Sequence, residues 1–244
     1  MDTRELHRAV RAELRSLPKD LAEIVASHLL LAGQLIDDDA DLAYRHAEAA
    51  RRRAARLPIV REAAAETAYA AGLYDVALSE FRALRRMTGT HDYLPVMADC
   101  ERALGRPQNA IKLARESDRY DLEPALRVEM IIVEAGARRD VGQDSEARRI
   151  LTRALTQLEA GDAGPRLPLA RLRYALADAL LAVGQEAEAR AMFAGAAKLD
   201  TDQETDAQQR LDQLDGLQID YDPDPDDDPE PDPPAPSPAR SGRR

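Results

Sequence analysis

The stretch VGQEAEARAMFAGA at residues 183–196 decides the fold, because it places a helix break, a small residue and a large apolar residue at fixed intervals. Gly184 is followed by Ala189 five positions later and by Phe193 four positions after that. The stretch AGLYDVALSEFRAL at residues 71–84 repeats these intervals. Glycine commonly ends a helix in the left-handed conformation, and residues four apart lie on one helix face. Each stretch therefore predicts the end of one helix and the start of a second, amphipathic helix.

Two further copies of this spacing begin at Gly105 and Gly142. Each of the four glycines also has an alanine seven positions before it, namely Ala65, Ala98, Ala135 and Ala177. Small side chains at matched positions of two successive helices allow the helices to cross closely. A single hairpin leaves one face unburied until the next hairpin packs on it, so the repeated spacing predicts a stack of hairpins, or solenoid.

The repeated pattern resembles the tetratricopeptide repeat (TPR), a helix–turn–helix unit of about 34 residues with an A-x3-F element in its second helix. The first half of the family signature, W-x2-L-G-x2-Y, is degenerate, since Arg61 and Arg173 stand at the tryptophan position. The resemblance implies an all-α fold, an α-solenoid of about five TPR-like helical hairpins. The copies lie at 58–88 and 170–199, more weakly at 91–117 and 128–159, and most loosely at 19–55.

Composition divides the chain into three parts. In residues 1–17 apolar residues recur at helical spacing, and this pattern predicts an N-terminal amphipathic helix. Residues 18–216 predict the TPR-like solenoid, with a polar capping helix at 201–216. Residues 217–244 predict a disordered acidic tail, since they hold eight of the 15 prolines, eight acidic residues and only three arginines. Such a segment buries too little apolar surface to offset its ordering entropy.

Charge and cysteine usage limit the function classes. The net charge is −11, whereas phosphate-binding proteins usually carry a basic surplus, so nucleic-acid binding is disfavoured. Cys100 is the only cysteine, which excludes a disulfide within one chain and fits a reducing compartment. The sequence has neither a signal peptide nor an apolar run long enough to span a membrane. We therefore expect a cytoplasmic protein that does not contact membranes.

Catalytic motifs do not stand out. Phosphate-binding glycine loops, zinc-protease motifs and nucleophile-elbow motifs are absent, and the four histidines lack metal-ligand spacing. The aspartates at 37–41 are expected to cap the helix that follows them. We therefore predict a protein that is not an enzyme and holds no metal or cofactor.

The TPR resemblance also implies a binding surface, because the first helices of such arrays line a concave groove that holds a peptide. Chaperone-binding members use Lys, Arg and Asn there to hold a C-terminal carboxylate, and Lys and Asn are missing from the aligned positions here. Aligning the repeats on their glycines places eight side chains in the groove: Glu62, Glu66, Tyr69, Asp99, Arg102, Arg139, Tyr174 and Asp178. Carboxylates outnumber arginines in this set, so we expect a basic or Arg-containing segment as the ligand.

Two functions follow from these observations. The first is a non-catalytic scaffold or adaptor that binds a segment of a partner protein in the groove. The alternative is a regulatory module that acts through nucleic acid or a transcription complex, using the arginines at 51–53 and 56 and at 82, 85 and 86. Arginines on helix surfaces more commonly pair with nearby acidic residues. The sequence leaves the identity of the partner and the oligomeric state open.

Overall fold

Twelve helices make up the computed structural model, which describes residues 5–160 and 166–217 and contains no strand within those ranges. In chain order they are α1 (Arg8–Leu14), α2 (Lys19–Leu35), α3 (Ala40–Ala54), α4 (Pro58–Ala70), α5 (Tyr74–Thr88), α6 (Leu94–Ala103), α7 (Pro107–Ser117), α8 (Pro124–Asp140), α9 (Asp144–Glu159), α10 (Arg166–Leu181), α11 (Glu186–Ala197) and α12 (Ala207–Leu214). The all-α fold predicted from the sequence is confirmed.

Ten of these helices form five hairpins, which pair α2 with α3, α4 with α5, α6 with α7, α8 with α9, and α10 with α11. The second helix of each hairpin also packs on the first helix of the next hairpin, so the hairpins stack in sequence order. Helix α12 packs on α11 and closes the stack, within the region predicted as a capping helix. This arrangement is the predicted solenoid of five TPR-like hairpins.

The first helices of the hairpins form the inner layer of the solenoid. Helix α2 contacts α4, α6 contacts α8, and α8 contacts α10. The second helices instead make their main contacts with first helices, those of their own hairpin and of the next one. When the helices of one layer lie closer together than those of the other layer, the stack curves toward the closely spaced layer. The first helices therefore line the concave side.

In the four repeats with the predicted spacing, the glycine ends a first helix by the predicted mechanism. Gly72 has a φ of 70°, in the left-handed region, and its N–H donates to Tyr69 O at 3.0 Å. The N–H of Leu73 donates to Ala68 O at 2.8 Å, which completes a Schellman motif. The carbonyl of Leu73 then accepts from Ala77 N at 2.9 Å and begins the second helix. The same bonds recur at Gly105, Gly142 and Gly184.

The paired alanines are buried where the two helices of each hairpin pack. Ala65 and Ala77 have no solvent-exposed surface and belong to one apolar cluster with Phe81. Ala177 and Ala189 are likewise fully buried, on α10 and α11. Because the side chain of alanine is only a methyl group, the two helices of the hairpin can approach each other closely at these positions.

The ends of the solenoid differ in detail from the prediction. Helix α1 is shorter than the predicted 1–17 segment, and Pro18 is the N-cap of α2. The predicted capping role of the 37–41 aspartates is confirmed at Asp39, whose side chain accepts from Leu42 N at 2.9 Å. The predicted disordered tail lies outside the described residues, apart from Leu217.

Two further features bear on function. Cys100 is fully buried, and burial raises the pKa of its thiol to about 12, so the thiol is unreactive at neutral pH. Among the helices of residues 5–160 and 166–217, none combines the length and the apolar character that crossing a membrane requires.

Candidate partner-binding groove

A groove of about 830 Å³ runs along the concave side and crosses four first helices. Helices α4, α6, α8 and α10 all contribute side chains to it, and Ile36 and Asp37 close one end just after α2. Apolar residues such as Val96, Leu126 and Ile132 lie between charged ones. This mixture suits an extended segment of protein, which offers both side-chain types along its length.

Five of the eight predicted site residues line this groove. Glu62, Glu66 and Tyr69 come from α4, and Asp99 and Arg102 come from α6. Residues on α4 at spacings of four and three share one face of the helix, which is why this stripe enters the groove together. The structure therefore brings together the predicted residues of the second and third hairpins.

The other three predicted residues lie beyond the groove. Arg139 Nη1 contacts Asp178 Oδ2 at 2.6 Å, and Arg210 Nη2 contacts Asp178 Oδ1 at 3.3 Å, so Asp178 is already paired with two cations. Tyr174 lines a smaller pocket of about 400 Å³ beside Asp206. Burial and a hydrogen bond to Asp206 raise the pKa of Tyr174 to about 12. The two pockets are neighbours, since Ile132 and Arg171 line both.

Tyr69, Asp99 and Arg102 form a hydrogen-bonded chain in the floor of the groove. Tyr69 Oη donates to Asp99 Oδ2 at 2.5 Å, and Arg102 Nη1 donates to Asp99 Oδ1 at 3.0 Å. Arg102 Nε also donates to Asp140 Oδ2 at 2.9 Å. Gly136 of α8 makes room for this guanidinium, because a Cβ there would lie 3.1 Å from Arg102 Nε. Both carboxylate contacts neutralise the charge of Arg102.

Glu62 and Glu66 give the α4 wall its acidic character. Tyr93 Oη donates to Glu62 Oε1, which holds that carboxylate in place. Glu66 has a solvent-exposed face, but the walls of the groove surround the rest of it. This partial burial, together with the charge of Glu62, raises the pKa of Glu66 to about 7.

The net charge of the groove is negative, since six carboxylates face two arginines. Arg102 is paired with Asp99 and Asp140, and Arg171 Nε contacts Glu129 Oε1 at 2.6 Å. The remaining four groove carboxylates have no arginine or lysine ion-pair partner in the part of the chain that the structure describes: Asp37, Glu62, Glu66 and Asp92. These four side chains can accept hydrogen bonds from a cationic ligand.

Sequence reasoning missed several groove residues. Arg171 precedes Tyr174 by three residues, so helical periodicity could have identified it. Glu129 lies on α8, from which the alignment named only Arg139. Asp37 and Asp92 lie in connections between helices, where no periodic signal applies. Tyr93 is the N-cap of α6, just outside the helical stripe.

Four of the seven arginines named for the alternative function are paired with acidic side chains. Each of four arginines pairs with a glutamate: Arg51 with Glu48 at 2.6 Å, Arg52 with Glu48 at 2.9 Å, Arg82 with Glu101 at 2.5 Å and Arg85 with Glu116 at 2.6 Å. They lie on α3 and α5, the second helices, as predicted. Paired arginines offer less charge to a phosphate backbone than free ones.

Two of the histidines lie together, although nothing in their spacing predicted it. His28 Nδ1 lies 3.0 Å from His46 Nδ1 across the α2–α3 hairpin. Burial and the neighbouring His46 and Arg53 lower the pKa of His28. No group of three or more potential metal ligands occurs within the described residues, so the pair lacks the further side chains of a metal centre.

Comparison with solved structures identifies the same fold elsewhere. A thermophilic TPR protein of Thermus thermophilus superimposes with a TM-score of 0.58 at 21% identity, over 79% of this chain and 100% of that one. A putative kinesin light chain of Podosopora anserina with nearly identical TPR-like repeats gives 0.52 at 18% identity, over 73% of this chain and 95% of that one. The APC/C hetero-tetramer Cut9–Hcn1 gives 0.58 at 14% identity, over 87% of this chain and 41% of that one.

These similarities establish the TPR-like fold. No protein-family model matches the sequence, and no curated protein is significantly similar to it. At identities this low a shared fold does not carry a shared function. The function has to be argued from the groove itself.

Proposed function

We propose that the protein is a non-catalytic, cytoplasmic scaffold or adaptor that binds a basic, Arg-containing segment of a partner protein in the concave groove. The single observation that supports this most is the set of four groove carboxylates without a cationic partner among the described residues. An arginine side chain satisfies carboxylates better than any other residue, because its guanidinium donates several hydrogen bonds in one plane. The apolar residues between them would contact the rest of the segment.

The groove favours a protein ligand over a nucleic acid. A phosphate backbone would meet Glu62 and Glu66 at close range, which costs free energy through like-charge repulsion. The arginines invoked for the alternative function lie on the outer helices, and four of them already pair with glutamates. The alternative, a regulatory module acting through nucleic acid, therefore has less support.

Fluorescence anisotropy with a labelled, N-acetylated peptide tests the proposal. The probe is a dodecapeptide in which arginine alternates with alanine and leucine, and its counterpart has glutamate in place of arginine. We expect the arginine peptide alone to bind, and its affinity to fall about tenfold between about 0.05 M and 0.5 M salt, since exposed charges are screened.

A matched pair of variants locates the binding site. Glu62→Lys with Glu66→Lys reverses the α4 wall and should abolish binding of the arginine peptide. Glu186→Lys with Glu188→Lys makes the same charge change on the exposed face of α11 and should leave the affinity within about twofold. If both double variants bound the arginine peptide with equal affinity, the peptide would not bind in the groove.

A further inference from the structure

A cluster of cations lies on the outer side of the solenoid, away from the groove. Lys112, Arg115 and Arg119 line a hollow of about 330 Å³ beside the end of α7, together with Glu116 and Tyr120. All three cations are solvent-exposed, and within residues 5–160 and 166–217 none has a carboxylate ion-pair partner. We call these three residues the α7 basic patch.

The wall of the hollow beside the patch consists of an ion pair and stacked rings and carries no net charge. Arg85 Nη2 contacts Glu116 Oε1 at 2.6 Å, so the one carboxylate in the hollow is already neutralised. The Tyr120 ring stacks on His91 with 3.5 Å between centroids, and the Arg85 guanidinium lies 5.7 Å from the Tyr120 ring centroid. Asp118 is exposed and does not line the hollow. The patch therefore presents net positive charge on a preorganised surface.

An anionic ligand of matching chemistry occurs in the same chain. Residues 220–232 read DYDPDPDDDPEPD, with eight acidic residues and no cation. Proline restricts the backbone and lowers the entropy lost on ordering, which favours binding of an extended segment. We propose that the acidic segment 220–232 docks on the α7 basic patch of its own chain.

The length of chain allows this contact. Leu217 follows α12, which is separated from α7 by about three hairpin layers of roughly 10 Å each. Ten residues join Leu217 to Asp227, and at about 3.1 Å per residue in an extended proline-rich backbone they span roughly 30 Å. The first part of the segment therefore serves as the tether, and Asp227, Asp228, Glu230 and Asp232 are the carboxylates that reach the patch. Because the segment is tethered to the same chain, its docking is intramolecular, which raises its effective concentration at the patch. Weak ion pairs are then sufficient for docking.

Docking has a consequence for selectivity that is independent of the groove. The acidic segment neutralises three uncompensated cations on the outer side of the solenoid, so other polyanions must displace it before they bind there. The proposed binding of a basic segment in the groove involves the opposite charge on the inner helices. Failure of one proposal therefore leaves the other standing.

Zero-length carbodiimide crosslinking followed by mass spectrometry tests the contact in the full chain. The reagent joins carboxylates to lysines in direct contact, and the chain has only three lysines, Lys19, Lys112 and Lys198. We expect crosslinks between Lys112 and the 220–232 segment at about 0.05 M salt, with a yield about fivefold lower at 0.5 M. Crosslinking a mixture of ¹⁴N- and ¹⁵N-labelled protein distinguishes contacts within one chain from contacts between copies.

Charge variants that retain Lys112 provide the matched comparison. Arg115→Ser with Arg119→Ser weakens the patch and should lower the yield of the Lys112 crosslink about fivefold. Arg45→Ser with Arg153→Ser removes two exposed arginines from other second helices and should leave the yield unchanged.

Three results would overturn the proposal. The first is a Lys112 crosslink whose yield is the same in both double variants. The second is crosslinking to the segment through Lys198 alone, or only between differently labelled chains. The third is retention of a single-stranded oligonucleotide by the full chain at the same salt without any Lys112 crosslink to the segment, which would make the patch a nucleic-acid surface.

Discussion

Tyr69 Oη donates a 2.5 Å hydrogen bond to Asp99 Oδ2, and this bond joins the first helix of the second hairpin to the first helix of the third. The hydroxyl of Tyr93, the N-cap residue of α6, donates to Glu62 of α4, so this bond runs from the third hairpin back to the second. Burial and these carboxylates raise the pKa of both tyrosines, so both remain protonated donors at neutral pH. Helices α4 and α6 are therefore tied together by polar bonds across the groove floor.

Removing the Tyr69 hydroxyl should loosen this connection. We expect Tyr69→Phe to lower the free energy of unfolding by about 1 kcal/mol, because Asp99 loses a donor in a partly buried position. Urea denaturation measures the change. Tyr74→Phe is the matched control, since its ring packs against Tyr69 at 5.7 Å while its hydroxyl has no hydrogen-bond partner among the described residues. Equal losses in both variants would show that the hydrogen bond to Asp99 does not carry the effect.

The alanine at the α10–α11 crossing gives a second test, this time of the fold. Ala189 is fully buried, whereas Ala187 on the same helix is exposed. Leucine at position 189 would force the helices apart, so we expect Ala189→Leu to cost about 1–3 kcal/mol of stability. Ala187→Leu should stay within about 0.5 kcal/mol of the parent protein. Thermal unfolding followed by circular dichroism compares them, and similar melting temperatures would contradict close packing at this crossing.

Two glycines with opposite backbone requirements give a third test. Gly142 has a φ of 76°, and Gly33 lies inside α2; a Cβ would meet no atom within 4 Å at either site. Gly142→Ala should therefore destabilise the protein by about 1–2 kcal/mol through backbone strain alone. Gly33→Ala should stabilise it by about 0.5–1 kcal/mol, since alanine loses less entropy in a helix. Chemical denaturation of both variants measures whether the two changes in the free energy of unfolding have opposite signs.

The sequence was most informative where backbone geometry depends on one residue type. Gly72 and Ala77 predict a helix end and a helix crossing because few other residues can occupy those positions without strain or separation. The same reasoning extended to all four copies with this spacing, and the looser copy at 19–55, which lacks the glycine at the matching position, was the fifth predicted hairpin. It was least informative at the N-terminus, where helical spacing in residues 1–17 did not indicate that α1 ends at Leu14.

The groove was only partly predictable, for a different physical reason. Repeat alignment indicates which face of a first helix a residue occupies, and it named Glu62 and Glu66, which line the α4 wall of the groove. It does not indicate which charges pair across the stack, so the mutual pairing of Arg139 and Asp178 could not be foreseen. Nor does it describe connections, which supply Asp37 to the groove. Contacts between residues distant in sequence depend on the three-dimensional stacking of the hairpins.

The raised pKa of Glu66 makes stability depend on pH in a defined direction. Its folded-state pKa of about 7 lies above the ordinary value of 4.5, so ionising Glu66 costs stability in the folded protein. This cost is absent below about pH 4.5 and complete above about pH 7. Because the exposed face of Glu66 screens the charge, we expect Glu66→Gln to raise the free energy of unfolding by only about 0.5 kcal/mol at high pH. At a pH of about 4.5 the two proteins should be equally stable.

The same titration should control binding of a basic segment. At about pH 6 Glu66 is mostly protonated and attracts an arginine weakly, whereas at about pH 8 it is ionised. We expect the affinity for the arginine peptide to rise about threefold to tenfold from pH 6 to pH 8, with release of a proton on binding near pH 7. Arginine does not titrate in this range, and no histidine lines the groove among the residues described, so the dependence belongs to the carboxylate.

Isothermal titration calorimetry in buffers of different ionisation enthalpy measures both the affinity and the proton release. Glu66→Gln should bind with an affinity that is flat between about pH 6 and pH 8 and should release no proton. Glu186→Gln, an exposed change on α11, should keep the full pH dependence of the parent protein. A pH dependence that persists in Glu66→Gln would mean that another group titrates on binding, and Glu66 would then lose its role as the residue that couples pH to the groove.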